Sequence, residues 1–169
     1  FKSESGKPIN PVLHAPAAGR TWMAWENYDQ GKFSLKVSKS ENGKWTKPVE
    51  ISKGENSCFD PALAEDNKGN LYVAYGLTDG YHQNIEMTLI DGKTLQTKKT
   101  IPVAIGGGFK SRVNLNTKPA LAFDSKDRLW ISYENNRFAT RLDDSDCYTG
   151  DRHCAMLSYQ DGRIMEADS

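Results

Sequence analysis

Two stretches of this chain repeat nearly the same phrase. PALAEDNKGNLYVAY at 61–75 returns as PALAFDSKDRLWISY at 119–133. PVLHAPAAGRTWMAW at 11–25 is a looser third copy, with Trp25 where the others carry Tyr75 and Tyr133. The opening prolines, Pro11, Pro61 and Pro119, stand 50 (61 − 11) and 58 (119 − 61) residues apart. Self-similarity at about 40–50 residues marks propellers and solenoids, in which a small unit cannot bury its apolar face alone and needs copies stacked against it.

Within each copy apolar and polar residues alternate with the period of a half-buried strand. ALAED and LYVAY are joined by NKG, LAFD and LWISY by SKD, and VLHA and TWMAW by PAAG. A third strand follows in each copy: KFSLKVS (32–38), NIEMTLI (84–90) and CAMLSYQ (154–160). ENGKW, DGKTL and DGRIM come next, and their Asn-Gly and Asp-Gly pairs suit type I′ hairpin turns, whose two central residues need positive φ. A fourth strand runs through KWTKPVEIS and TLQTKKTIPV and is only beginning in the third copy. No segment has capped helical periodicity. The expected fold is therefore all-β, a propeller of about three four-stranded antiparallel blades. Their approximate limits are 10–52, 60–104 and 118–169, the last incomplete. A β-sandwich is the competing architecture, but it gives no reason for the phrase to recur.

Propellers close with about four to eight blades. Three leave open strand edges, so the expectation is a part of a six- or seven-bladed ring, its other blades supplied by the same polypeptide or another chain. The 22 basic and 22 acidic residues cancel, which removes any electrostatic reason to expect nucleic acid or an anionic membrane as partner. No run approaches the roughly 18 apolar residues of a membrane span. The polar start at Phe1, without Met, suggests a processed product and a secreted or periplasmic location. Cys147 and Cys154 flank a polar, Gly-containing loop and suit a small disulfide ring, whereas Cys58 suits buried packing.

DPALAEDNKGNLYVAY…IEMTLIDGKTL and KPALAFDSKDRLWISYE resemble blades of the sialidase-like, BNR-type β-propellers of bacterial secreted proteins, over nearly the whole chain from about Asn10 onward. That family's Asp-box hairpin is echoed by SKSENGKW (38–45), with Ser40 in place of the aspartate and Gly43 one position late. The resemblance implies a glycan-active propeller, and by analogy an arginine cluster to clamp a carboxylate.

Short turns fall on one end of such blades and longer, aromatic and charged segments on the other. The second end comprises 26–32, 76–83, 134–153 and the interblade stretches 52–60 and 106–118, and it is the expected functional face. Glu26 and Glu134 stand at equivalent places, each followed by Asn, and supply the two carboxylates that glycoside hydrolysis needs; capping the same loop is the structural alternative. Asp60 precedes Pro61 at the mouth of an innermost strand, where its counterparts are Asn10 and Lys118. It suits a base or a ligand, or equally a loop-tying hydrogen bond. His82 with Tyr81, and His153 with Arg152, are further proton-transfer or polarising candidates. Arg112, Arg137 and Arg141 suit bidentate recognition of a carboxylate, or are plain solvated charge.

Asp143, Asp144 and Asp146 offer hard oxygen ligands for calcium without an EF-hand spacing. No other cofactor is implied, and GGG at 106–108 opens no helix and so makes no phosphate loop. His14 reads as a core residue, and Trp22, Trp25, Trp45 and Trp130 as packing between blades. The expected function is recognition or processing of a carbohydrate or other polar polymer, by a glycoside hydrolase or a polysaccharide lyase. The alternatives are a non-catalytic protein-interaction platform and an accessory domain of a larger enzyme.

Overall fold

Alternation of period two does become strand throughout. The structure, a computed structural model, describes residues 6–17, 19–52, 54–78, 80, 82–105, 112–139 and 152–166. None of these is helical, so none forms an apolar helix long enough to cross a membrane. The first meander comprises β1 (Lys7–Ala17), β2 (Arg20–Asp29), β3 (Lys32–Glu41) and a fourth strand broken into β4 (Lys44–Trp45) and β5 (Val49–Glu50). The second is β6 (Ser57–Glu65), β7 (Leu71–Thr78), β8 (Gln83–Ile90) and β9 (Thr97–Ala104). The third is β10 (Arg112–Phe123), β11 (Leu129–Ala139), β12 (Arg152–Gln160) and β13 (Arg163–Glu166). Neighbours within each meander pair antiparallel. A single parallel pairing, Leu115 with Gln83, links the second meander to the third.

Side chains of alternate parity settle how the meanders stack. Leu71, Val73 and Tyr75 of β7 join Trp22, Leu35, Val37 and Cys58 in one core between the first and second meanders. Ala74 of β7 and Met87 of β8 join Leu129, Ile131 and Leu157 in another core between the second and third. The middle meander is thus covered on both faces, which a two-sheet sandwich with its one core does not allow. This is the stacking of propeller blades.

The turn chemistry follows the sequence at two of the three Gly hairpins. Asn42-Gly43 (φ 50° and 78°) and Asp161-Gly162 (φ 51° and 82°) have the paired positive φ values expected. At 91–96 it does not: Leu95, not Gly92, is left-handed (φ 60°). There the Asp91 carboxylate accepts the N–H groups of Lys93 and Thr94, both at 2.9 Å. Gly92 is needed for a different reason, since a Cβ there would lie 1.6 Å from the Gly69 carbonyl oxygen. Asp66 and Asp124 organise the NKG and SKD turns in the same way. Each accepts backbone N–H groups two and four residues on, at 2.8–3.0 Å.

Two further expectations change. The segments read as long loops are largely strand: β2 and β3 run through 26–32 and meet in a two-residue turn, Gln30-Gly31, with φ 49° and 83°. Trp45 is exposed on β4, whereas Trp22 and Trp25 are buried. Cys58 is buried, as expected, and Cys154 is exposed. Cys147, and with it the expected Cys147–Cys154 disulfide, lies outside the described residues.

Candidate functional site

One end of the blades holds the starts of β1, β6 and β10, the ends of β2, β7 and β11, and the starts of β3, β8 and β12. Glu26, Asp60, His82 and Glu134 all come to this rim, as do the backbones of Arg112, Arg137 and His153. The side chains of those last three lie outside the described residues, and so do Tyr81, Arg141, Asp143, Asp144 and Asp146 altogether. Among the described residues no group of three His, Cys, Asp or Glu side chains is placed to hold a metal ion.

The innermost strands share one irregularity. Pairing slips between Ile9 and Val12, between Phe59 and Ala62, and between Thr117 and Ala120. The first extra residue of each bulge is Asn10, Asp60 or Lys118, with φ of 49°, 51° and 51°. Each precedes a proline, and each is a non-glycine residue in the left-handed region, an uncommon backbone state that surrounding structure must hold in place. Bulges re-aim a side chain. The repeated proline phrase therefore marks a repeated outward presentation, with the presented side chain changing from amide to carboxylate to ammonium.

What faces these side chains also varies. In the first blade Asn10 Nδ2 donates to Glu26 Oε2 at 3.1 Å. In the third, Lys118 Nζ donates to Glu134 Oε1 at 3.2 Å, both partners being solvent-accessible. In the second, the position of Glu26 and Glu134 is Gly76, opposite Phe59. Gln83 lies close over that glycine, so that a Cβ there would meet its Nε2 at 3.1 Å. Asp60 therefore has no acidic or basic neighbour from its own blade at that position. Its side chain is exposed, and its carboxylate makes no hydrogen bond among the described residues.

Glu26 is 2% exposed. Beyond its bond from Asn10, it reaches across the blade boundary, and its Oε1 accepts the Asp60 backbone N–H at 3.0 Å. Asn10, Glu26, Phe59, Asp60, Thr78 and Gln83 line an open depression of about 460 Å³. An aromatic stack borders it along the seam of the first two blades. The Tyr28 and Phe33 ring centroids are 4.9 Å apart, and those of Phe33 and Phe59 5.1 Å. His82 is half-buried just before β8. The sequence contained a signal for the Asn10–Glu26 and Lys118–Glu134 pairs, because the bulge residue and the residue after the second-strand aromatic vary together. The bond from Glu26 to the Asp60 backbone had none.

Comparison with known proteins bears on this geometry. The model of glycosyl hydrolases family 43 matches residues 9–137. No curated protein matches the chain in sequence. Among solved structures, an endo-1,4-beta-xylanase from Bacteroides thetaiotaomicron superposes with a TM-score of 0.62 at 12% identity, covering 98% of this chain and 60% of that one. The Bacteroides ovatus protein described as xyloglucan PUL GH43B superposes with a TM-score of 0.55 at 16% identity, covering 98% of this chain and 29% of that one. This chain thus spans less than two thirds of the length of either. At such identities the likeness shows the fold, a partial β-propeller. The family match overturns the sialidase-like resemblance. The hairpin of SKSENGKW is an ordinary two-residue turn, with Ser40 paired to Trp45 and Glu41 to Lys44. Propellers of the matched family have five blades rather than the six or seven expected from the repeat.

Proposed function

The chain belongs to glycosyl hydrolases family 43, and on that footing we propose that it hydrolyses glycosidic bonds of a β-1,4-linked xylan, the polymer in the name of its xylanase neighbour. Asp60 carries the reading. It is an exposed carboxylate on a left-handed bulge, set in an open depression, with a glycine where the other two blades place a glutamate. Glycoside hydrolysis asks for two carboxyl groups flanking the scissile bond, one to protonate the leaving oxygen and one to activate water or attack the sugar. Asp60 serves as the base or nucleophile, and Glu134, on the same rim, as the second carboxyl. His82 lies on the same rim, just before β8. Phe59 gives an apolar wall for a sugar ring, and Arg112, Arg137 and His153 lie on the strands that bring the third blade to the polymer. Further blades complete the ring. A polysaccharide substrate suits a secreted or periplasmic location.

The test is release of reducing sugar from xylan and xylo-oligosaccharides. Asp60→Asn should lower kcat about 10²–10⁴-fold, the usual contribution of a positioned acid or base, with an unchanged thermal midpoint. Undiminished turnover by Asp60→Asn refutes the assignment, and absence of cleavage by the unmodified protein with its remaining blades refutes the activity.

A further inference from the structure

Glu26 makes an arrangement with no counterpart elsewhere among the described residues. Its buried carboxylate uses both oxygens: one accepts from the Asn10 amide at 3.1 Å, and the other from the backbone N–H of Asp60 at 3.0 Å. The two donors belong to the bulges of different blades, so one carboxylate fastens both presenting turns at once. Lys118, the third bulge residue, would need its equivalent clamp from the second blade at Gly76, which has no side chain. The third blade instead uses an exposed pair within itself, Lys118 with Glu134. Among the described residues, the bulge bearing the aspartate alone has its backbone N–H held by a buried carboxylate from the preceding blade. A left-handed residue before proline relaxes unless its surroundings prevent it, and hydrogen bonds to an ionised acceptor are the strong ones.

We infer that Glu26 is a positioning residue, which sets the backbone angle at Asp60 and thereby the direction of its carboxylate. This deepens the reading of Asp60 as the reacting carboxylate and rests on it. The role also fits the burial of Glu26, unlike Glu134: both its oxygens face protein donors rather than the open depression.

Two measurements on the same chain test this. The first is kinetic. Glu26→Ala should lower kcat on xylo-oligosaccharide about 10–100-fold with KM within about threefold, since small misplacement of a catalytic group costs up to about 10²-fold. Glu26→Gln keeps an acceptor for the Asp60 N–H and should stay within about fivefold of the unmodified rate. A Glu26→Ala protein that is folded and retains its kcat overturns the inference. So does a Glu26→Gln protein as inactive as Asp60→Asn, which would make Glu26 a reacting group itself. The second measurement is hydrogen exchange at the Asp60 amide, which needs no substrate. The amide should exchange at least about tenfold faster in Glu26→Ala than in Glu26→Gln, while β7 amides are unchanged. Equal exchange in the two variants refutes the clamp. If the unmodified protein with its remaining blades cleaves nothing yet the amide behaves as expected, the clamp stands and the hydrolase reading alone falls.

Discussion

Removing the Glu65 carboxylate should unlatch the first blade from the second at the end opposite the site. Glu65 ends β6, and its side chain is 2% exposed. One oxygen is ion-paired to Arg20, and the other accepts the indole N–H of Trp22, which is fully buried. Both donors come from β2, so the carboxylate joins two blades. In Glu65→Ala the Trp22 N–H loses its acceptor in a dry core, at about 1–3 kcal/mol. Arg20 is 32% exposed; water can replace its partner, so the lost pair adds no more than about 1 kcal/mol. The expected loss is about 1–4 kcal/mol, or about 2–16 °C in Tm for a domain of this size. Glu65→Gln keeps an oxygen for the indole and should lose less than about 1.5 kcal/mol. Urea unfolding followed by both tryptophan fluorescence and far-UV circular dichroism measures the loss and checks that the transition is two-state. A Glu65→Ala loss below about 1 kcal/mol, or equal losses for the two variants, would refute the assignment of the cost to the stranded indole.

Gly92→Ala, with its Cβ 1.6 Å from a backbone oxygen, should cost upwards of about 3 kcal/mol. Gly31→Ala meets nothing within 4 Å and should cost only the left-handed strain of about 1–2 kcal/mol; similar Tm losses for the two would contradict this. Hydrogen bonds hold Asp124 well below the usual carboxylate range, the Trp130 indole first and the Arg128 N–H next, and Asp91 likewise through Lys98 first. Their folded pKa values are depressed. Their stabilisation is therefore complete above about pH 4, the unfolded value, and is lost as pH falls through the folded values. Asp91→Asn/Asp124→Asn should flatten the acid limb of stability against pH, and an unaltered limb would count against the assignment. Burial first, then the charge of Glu86, pushes the Cys58 thiol up to about 12. Iodoacetamide at pH 8 should therefore leave Cys58 unmodified until denaturant is added, as mass mapping will show.

Legibility in the sequence followed the range of the forces involved. The repeated phrase recorded a local pattern, and the strands and the Asn42-Gly43 and Asp161-Gly162 turns formed as that pattern requires. Asp91-Gly92 carried the same hairpin signal, yet Gly92 answers to the Gly69 carbonyl, more than twenty residues away, and the left-handed residue moved to Leu95. At the site, alignment of the copies brought out Asp60, Asn10 and Lys118 as one position, and Glu26, Gly76 and Glu134 as another. It did not bring out the Glu26–Asp60 bond, because a backbone donor leaves no mark on residue type. The family was misread for a related reason. Stacked blades impose nearly the same alternation on any propeller, so the pattern identifies the architecture and says little about the lineage.

The three proline-anchored bulges separate frame from cargo. Because a kinked main chain and its proline hold the exit direction, the side chain mounted there can be exchanged without rebuilding the blade. Amide, acid and amine already occupy three copies of one socket. A scaffold made this way can acquire new chemistry by single substitutions around its axis, one blade at a time.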